Sequence, residues 1–320
     1  MEIKELSVLI TGGAGFIGSH IAEFLLNNGV KYVRIIDNLS TGSYDNIKNL
    51  LLQHKNIEFV WGDITNLETC RKACRNISVI CHQAALGSVP RSIDDPLTSH
   101  NSNVNGFLNI LQASTELNIK RIVFATSSSV YGNNTDAVKK ENSIGRQLSP
   151  YAITKYIDEL YAKVFTDLYG LECIGLRYFN VFGPRQNPNG QYAALIPKFI
   201  KLLINNDIPT INGDGSNSRD FTFIDNVVYA NYLAITTKNH EAYGEIFNVG
   251  TQGTVTINQV FHSIRSILGL EKCDPIYGPH RKGDIAHSNA CIDKIKNMLG
   301  YNPKVSFHDG LEKTIDYFKN

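Results

Sequence analysis

One short segment near the N-terminus limits the possible folds more than any other part of this sequence. The β-branched apolar run at residues 8–11 leads directly into Gly12, which is followed by Gly15, Gly18 and a helical pattern. Glycines at this spacing permit a tight turn, the close approach of a ligand to the backbone, and close packing of helix on strand. The free N–H groups at the start of such a helix attract anions. We therefore predict that Gly12, Gly15 and Gly18 hold the pyrophosphate of a dinucleotide.

The first half of the chain alternates short apolar runs with amphipathic segments. Runs typical of buried strands lie at residues 7–11, 32–37, 57–61, 78–82, 121–126 and 173–178, each bounded by Gly, Asn or Asp. Helical patterns lie between them at residues 16–28, 44–54, 67–75, 96–117 and 151–169. This alternation predicts parallel strands joined by right-handed crossovers, and hence an α/β fold with a doubly wound (Rossmann) sheet.

The pattern changes after Asn180. Turn signals such as Gly183-Pro184 become frequent and the strand runs become short. We predict a dinucleotide-binding domain over residues 1–180 and a smaller α/β substrate lobe mainly over residues 181–320. Segments near residues 224–250 are predicted to return to the first domain. A cleft between two packed lobes is then the expected ligand site.

Composition excludes several classes of protein. The 31 Lys and Arg residues and 30 Asp and Glu residues give a net charge of +1, which argues against a nucleic-acid partner. The sequence has no apolar run of the about 18 residues that a membrane span needs, and its start lacks a signal-peptide pattern. Cys70 and Cys74, four residues apart, are interpreted as small side chains on one helix face. We expect a cytoplasmic protein with free thiols, no membrane partner and no metal.

Two carboxylates follow neighbouring predicted strands. Asp37 lies 19 residues after Gly18, where a carboxylate accepts hydrogen bonds from an adenosine ribose. Because Asp37 would repel a 2′-phosphate, the sequence favours NAD over NADP. Asp63 follows the third strand, and its spacing fits equally a contact with the adenine edge and an ordinary turn at the strand end.

Residues suited to acid–base chemistry follow the fifth predicted strand. Ser127, Ser128 and Ser129 come directly after it, and Tyr151 and Lys155 lie four residues apart at the start of a predicted helix. That spacing places the phenol and the ammonium on one face of the helix. A free phenol, with an ordinary pKa of about 10, becomes a usable base when a cation favours its ionised form. We therefore predict Ser127, Tyr151 and Lys155 as catalytic residues.

With these motifs the sequence resembles the extended short-chain dehydrogenase/reductases over essentially its whole length. The resemblance is carried by Gly12-x-x-Gly15-x-x-Gly18, the Ser127 run, Tyr151-x-x-x-Lys155 and residues 176–180. Residues 82–85, 103–105 and 219–221 are similar to those of the nucleotide-sugar 4-epimerases. Residues 87–92 and 211–215 look closest to the UDP-N-acetylglucosamine 4-epimerase branch of that family.

The resemblance implies a reaction in which NAD stays bound and is recycled. Tyr151 would remove the O4 proton of a UDP-hexose while the C4 hydride passes to NAD. The resulting 4-keto sugar would turn over in the cleft, and the hydride would return to its opposite face. Interconversion of UDP-GlcNAc and UDP-GalNAc is the reaction that this resemblance favours.

The resemblance also implies which residues surround each ligand. Those expected at the cofactor are Gly12, Gly15, Phe16, Ile17, Gly18, Asp37, Asn38, Asp63, Ile64, Gln83, Ala84, Ala85, Asn103, Tyr151, Lys155 and Tyr178. Those expected at the UDP-sugar are Gly87, Ser88, Ser127, Ser128, Ser129, Tyr151, Asn180, Ala194, Leu195, Asn212, Arg219, Arg281, Asp284 and Ser288.

Two departures separate this chain from relatives. The 4,6-dehydratases carry an Asp-Glu pair where this chain has Ser128 and Ser129, and decarboxylases usually have Glu in the same run, so neither reaction is favoured. In related epimerases the position of Ser288 gates the sugar pocket, where a tyrosine restricts the enzyme to unacetylated sugars. A serine leaves space for a 2-acetamido group.

Other functions and the assembly remain open at this point. The alternatives are a UDP-glucose 4-epimerase, a uronate 4-epimerase or another NAD-dependent nucleotide-sugar enzyme, and, in a different class, a non-catalytic NAD-binding regulator. The helices predicted at residues 96–117 and 151–169 form a dimer interface in relatives, so we expect a homodimer, with a role in polysaccharide biosynthesis. Their apolar stripes fit packing on the sheet equally well.

Overall fold

The computed structural model describes residues 1–189, 192–270, 273–279 and 287–319. Its strands are β1 (Ser7–Thr11), β2 (Tyr32–Asp37), β3 (Ile57–Trp61), β4 (Val79–His82), β5 (Arg121–Ser127), β6 (Val138–Lys139), β7 (Glu172–Tyr178), β8 (Val181–Phe182), β9 (Thr210–Asn212), β10 (Ser218–Arg219), β11 (Thr222–Phe223), β12 (Glu245–Val249), β13 (Val255–Thr256), β14 (Ile276–Gly278) and β15 (His287–Ala290). Its α-helices are α1 (Phe16–Asn27), α2 (Asp45–Gln53), α3 (Leu67–Cys74), α4 (Val89–Asp94), α5 (Pro96–His100), α6 (Gly106–Glu116), α7 (Pro150–Tyr169), α8 (Leu195–Ile204), α9 (Ile224–Thr236), α10 (Ile257–Leu268), α11 (Asp293–Leu299) and α12 (Phe307–Lys319).

Seven strands form the central sheet, in the order β12-β7-β5-β4-β1-β2-β3, and each neighbouring pair is parallel. Both faces are covered, because successive side chains of a strand point to opposite sides. In β1, Val8 and Ile10 pack into one apolar core and Leu9 into the other. The chain winds outward from β1 to β3 and then crosses to β4 on the other side. Ligands bind at the carboxyl ends of strands where a sheet reverses in this way. The predicted doubly wound fold is confirmed.

The segment predicted as one helix at residues 96–117 has three parts. α5 ends at His100, a π-helical turn spans Asn101–Asn105, and α6 follows. Asn103, at the centre of the turn, donates to Thr154 Oγ1 (3.0 Å) and accepts from the Leu86 N–H (2.8 Å). A π-helical turn is wider than an α-helical turn and often occurs near functional sites. Here it carries Asn103, whose side chain forms hydrogen bonds with distant parts of the chain.

Helix α7 has strong start and stop signals. The Ser149 hydroxyl accepts from the Ala152 N–H (3.2 Å), and Pro150 occupies the first helical position. Gly170 ends the helix in the left-handed conformation, with φ of 68°. These signals fix Tyr151 in the first turn, at the end of the sheet where ligands are expected.

The segments near residues 224–250 pack with the central sheet. α9 packs on α1 and on three strands of the sheet, and β12 adds an edge strand beside β7. A smaller sheet in the order β13-β10-β15-β6 lies outside it. The division of the chain near residue 180 stays a prediction. Among the described helices, none has the length and hydropathy of a membrane span.

Candidate active site

The loop between β1 and α1 is packed so closely that it needs glycine. Gly12 has φ of +66°, and a Cβ there would lie 2.7 Å from the Ala84 Cα. A Cβ on Gly18 would lie 2.4 Å from the Gly12 carbonyl oxygen. The backbone therefore turns tightly onto the start of α1, whose free N–H groups face an adjoining cavity of about 250 Å³. This shape fits a dinucleotide.

Most of the residues predicted to bind the cofactor line this first cavity. They are Gly12, Gly15, Phe16, Ile17, Gly18, Asp37, Asn38, Asp63, Ile64, Gln83, Ala84 and Ala85. Lys155, Tyr151 and Tyr178 line a second, larger cavity, and Phe16, Ile17, Gln83, Ala85 and Gly87 line both. The two cavities thus adjoin, as a dinucleotide beside its substrate requires. The role of each residue stays a prediction.

Asp37 has a structural task that the sequence did not reveal. Its carboxylate accepts from the Ala14 N–H (3.0 Å) and the Leu39 N–H (2.8 Å), so it ties β2 to the glycine loop. Burial raises the pKa of this carboxyl, against the hydrogen bonds that lower it. A carboxylate has about four acceptor positions, so these two bonds leave room for ribose hydroxyls.

Both interpretations of Asp63 find support. Oδ1 accepts from the backbone N–H and the hydroxyl of Thr65, both at 2.8 Å, which is a turn at the strand end. Oδ2 accepts from Asn38 Nδ2 (2.9 Å), and both residues line the first cavity. Partial burial acts to raise the pKa of Asp63, but the Thr65 and Asn38 hydrogen bonds outweigh it and the pKa is lowered. Asp63 therefore presents a carboxylate at neutral pH.

The larger cavity has a volume of about 750 Å³ and lies at the carboxyl ends of β5 and β7. The residues predicted for catalysis or substrate binding that line it are Gly87, Ser127, Ser128, Ser129, Tyr151, Lys155, Asn180, Arg219 and Ser288. Residues from both halves of the chain therefore meet in one space.

Tyr151 and Lys155 are fixed in this cavity from the α7 side. The Tyr151 N–H donates to the buried Ser92 hydroxyl (3.0 Å), which anchors the first turn of α7 to α4. Lys155 is only 2% exposed, and its Nζ donates to the Ala125 carbonyl at 3.0 Å. An ammonium in so little water acts strongly on neighbouring groups.

The serine run presents hydroxyls to the cavity. Ser127 ends β5, and its Oγ accepts from both the N–H (3.2 Å) and the hydroxyl (3.0 Å) of Ser129. Since Ser127 Oγ accepts these bonds, its own proton is available to an oxygen in the cavity.

Tyr178 is held by a buried polar network rather than poised for proton transfer. Its hydroxyl lies 3.1 Å from Gln83 Oε1 and 2.8 Å from Asn231 Nδ2. Burial raises the pKa of this phenol well above its ordinary value. Tyr178 therefore supports the cavity wall as a neutral phenol.

The far wall of the larger cavity depends on Asp220, a residue for which the sequence predicted no role. Asp220 is fully buried and accepts from the N–H groups of Thr251 (2.9 Å), Gln252 (2.9 Å) and Ala290 (3.3 Å). Burial raises the pKa of this carboxyl. Directly beside Asp220, Arg219 of β10 is paired in register with Ser288 of β15. The signal in the sequence was the place of Asp220 in the segment 219–221 that carries the family resemblance.

Several predicted ligand contacts do not line either cavity. Asn103 lies behind the wall, where it holds Leu86, and the Ser88 hydroxyl accepts from the Arg91 N–H as the cap of α4. Ala194 and Leu195 lie at the start of α8, and Asn212 ends β9. Arg281 and Asp284 lie outside the described residues. Among the described residues, the assignments of Asn103, Ser88, Ala194, Leu195 and Asn212 find no support in the lining of either cavity.

Some residues that line the larger cavity carry no signal in the sequence. Gln186 is one, and it donates from Nε2 to the Val181 carbonyl (3.1 Å). Its Oε1 is buried and has no hydrogen-bond partner among the described residues. No motif marks Gln186, since it follows the Gly183-Pro184 turn in a region of irregular backbone.

Comparison with known proteins agrees with this geometry. The model of the NAD dependent epimerase/dehydratase family matches residues 8–250. UDP-glucuronate 4-epimerase of Thermodesulfobacterium geofontis is 33% identical over 318 residues, which cover 97% of this chain and 95% of that protein.

Two solved structures are similar along their whole length. UDP-N-acetylglucosamine 4-epimerase from Methanobrevibacter ruminantium, in complex with UDP-N-acetylmuramic acid, is 38% identical with a TM-score of 0.92, covering 99% of both chains. UDP-glucose 4-epimerase from Thermotoga maritima, with UDP-glucose, is 36% identical with a TM-score of 0.90, covering 98% of this chain and 99% of that one. The glycine loop, the cavity lined by Tyr151 and Lys155, and these matches lead to one conclusion: the chain belongs to the NAD dependent epimerase/dehydratase family and is an NAD-dependent epimerase.

Proposed function

We propose that this protein interconverts UDP-GlcNAc and UDP-GalNAc through a 4-keto sugar, with Tyr151 as the base. One observation carries the proposal: Tyr151 and Lys155 line the same cavity as Arg219 and Ser288. Such a substrate needs acid–base groups for O4, a planar cation suited to a diphosphate, and a small residue beside the sugar.

Ser288 supports the choice of an acetylated sugar. It is 8% exposed, lines the larger cavity and is paired in register with Arg219. The short side chain leaves space that a tyrosine would fill. In the Methanobrevibacter structure the bound UDP-N-acetylmuramic acid is also a 2-acetamido sugar nucleotide. UDP-glucose and UDP-galactose fit the same space and are expected as weaker substrates.

In this reaction the side chains of the protein remove the O4 proton of the sugar and return it. When bound, NAD supplies the hydride acceptor and donor for C4 of the sugar. The ionised Tyr151 hydroxyl accepts the O4 proton and returns it after the keto sugar has turned over. The charge of Lys155, held by the Ala125 carbonyl, favours that ionised form. The Ser127 hydroxyl donates a hydrogen bond to the reacting oxygen and keeps its proton.

The proposal is tested by an assay of the purified protein with no added NAD. UDP-GlcNAc, UDP-GalNAc, UDP-glucose and UDP-glucuronate are each supplied, and the products are resolved by NMR. We expect UDP-GlcNAc and UDP-GalNAc to reach the same mixture from either side, with slower turnover of UDP-glucose. Faster turnover of UDP-glucuronate would replace this proposal with a uronate epimerase.

We also propose that the protein is a homodimer through α7. One face of this helix carries apolar side chains that are 46% to 72% exposed, at Ile153, Leu160, Val164 and Leu168. Their spacing of seven, four and four residues places them in one stripe. Leu97 of α5, a helix that packs against α7, is 82% exposed. The packing of α7 on the sheet leaves this apolar stripe exposed. Its exposure supports a dimer in which a second copy of the chain covers the stripe.

Charge on this stripe should separate the dimer. We expect Leu160→Asp with Leu168→Asp to sediment and scatter light as a monomer, because two carboxylates cannot be buried without partners. Leu52→Asp is the matched control, since Leu52 on α2 is 76% exposed outside the stripe. The proposal fails when the unchanged protein is itself monomeric at the concentrations of the assay.

A further inference from the structure

Lys155 has a charged neighbour that the reaction above does not use. Asp158, one turn further along α7, has Oδ2 3.2 Å from Lys155 Nζ, and its side chain is only 1% exposed. Asp158 Oδ1 is buried without a hydrogen-bond partner among the described residues. A buried carboxylate with an unpartnered oxygen is costly, and such groups call for an explanation.

The Lys155 ammonium connects Asp158 to the larger cavity. An ammonium has three N–H donors, and Lys155 directs one to the Ala125 carbonyl and one to Asp158. Lys155 also lines the cavity beside Tyr151. A change in the charge of Asp158 therefore alters the charge that the ammonium presents to the cavity that Tyr151 also lines, in surroundings with little water to screen it.

The other titratable groups around this pair have a partner of their own or carry no charge. Glu159, the next residue, binds Arg177 of β7 through both oxygens (2.8 and 2.7 Å) and accepts from Thr126. His82 of β4 is fully buried, and burial together with the charge of Lys155 lowers its pKa to about 3, so its ring is neutral. Lys155 is the cation that balances Asp158 within the described residues.

Asp158 itself titrates near neutral pH. Burial raises its pKa to about 7 even though Lys155 acts to lower it, and Glu159 adds to the rise. Both forms of the carboxyl are therefore populated at the pH where an epimerase works. A protonated Asp158 leaves the charge of the ammonium in full, and an ionised Asp158 partly neutralises it.

We propose that Asp158 is a positioning residue that holds the Lys155 ammonium and, when ionised, weakens its pull on the Tyr151 hydroxyl. This proposal rests on the roles assigned to Tyr151 and Lys155 above. It makes the ionisations of Asp158 and Tyr151 a coupled pair, so that Asp158 sets the lower end of the active pH range.

The test is the pH profile of kcat/KM for Asp158→Asn, measured with the UDP-hexose that turns over fastest. Asparagine keeps the shape and an oxygen acceptor for Lys155 but removes the charge. We expect the acid limb to move to lower pH by about one unit, since the ammonium then acts on Tyr151 uncompensated. An unshifted limb, or a fall in kcat by the same factor at every pH, would overturn the proposal.

Asp167→Asn is the matched control. Asp167 pairs with Lys163 on the same helix at 3.1 Å, but both side chains are more than half exposed. Water screens an exposed pair of this kind, so we expect the same acid limb as in the unchanged protein.

A second measurement does not depend on turnover. Tyrosinate absorbance is followed against pH, and the curve of Tyr151→Phe is subtracted to isolate Tyr151. We expect a curve broader than a single titration in the unchanged protein and a shift to lower pH in Asp158→Asn. When the Asn variant does not fold, a simple one-proton curve in the unchanged protein overturns the proposal. Full turnover in Tyr151→Phe refutes instead the role of Tyr151, whatever Asp158 does.

Discussion

Tyr151→Phe is expected to lower kcat by about 10²–10⁴-fold, the range that general acid–base groups contribute. Phenylalanine keeps the ring but cannot accept the O4 proton, so the chemical step loses its base. Tyr151 lines the larger cavity rather than the glycine-loop cavity, so the variant should still be purified with NAD bound. Turnover by NMR and the nicotinamide content of the purified protein are the two measurements.

The control for this variant is Tyr169→Phe. Tyr169 lies at the far end of the same helix and is 57% exposed, so loss of its hydroxyl should leave turnover unchanged. A Tyr151→Phe protein with full turnover would rule out every reaction in which Tyr151 is the base.

Ser288→Tyr is expected to remove most turnover of UDP-GlcNAc and UDP-GalNAc while turnover of UDP-glucose persists. Ser288 is nearly buried in the cavity wall, so a phenol there takes the space of a 2-acetamido group. One methylene more or less in a pocket changes the ratio of kcat/KM values by about 10–200-fold, so exclusion of the larger acetamido group should change it at least as much. The measurement is the ratio of kcat/KM for acetylated substrates to kcat/KM for unacetylated substrates, determined on one preparation of the variant.

Ser288→Ala separates size from hydrogen bonding. Alanine keeps the space, so we expect the substrate ratio of the unchanged protein. The gate is refuted by a folded Ser288→Tyr protein whose substrate ratio does not change. Melting curves identify a variant that has lost its fold, which is relevant because the neighbouring Asp220 holds three segments together.

Local patterns made the dinucleotide half of the site predictable. One short segment contains the end of β1, the tight turn, the backbone that a pyrophosphate can approach and the start of α1. It includes Gly12, Gly15 and Gly18. Tyr151 and Lys155 share a helix face because of their spacing alone. Such features depend on neighbours in sequence, so no knowledge of tertiary contacts is needed to find them.

Contacts between distant parts of the chain were not predictable in this way. Asp220 meets Thr251 and Ala290, which are 31 and 70 residues away. Asn103, whose contact with the cofactor stays a prediction, binds Thr154, 51 residues away, and the backbone of Leu86. A single sequence shows that a polar residue is present, but not which partner satisfies it once it is buried.

Asp158 shows the same limit on α7 itself. The sequence shows that Asp158 follows Lys155 by three residues, but such a pair is common on exposed helix faces and indicates nothing special. Only burial of both side chains, 2% and 1% exposed, turns the pair into a strongly interacting one. The sequence therefore indicated the helix that carries the predicted catalytic residues, but not the buried charge that accompanies its lysine.

The central claim, that hydride leaves and returns to C4 within one site, is tested most directly with UDP-GlcNAc carrying deuterium at C4. The purified protein is incubated with this substrate in ordinary water, without added NAD, and the product is examined by NMR. We predict UDP-GalNAc that retains its deuterium at C4. Loss of the deuterium to water, or a product inverted at another carbon, would contradict the account.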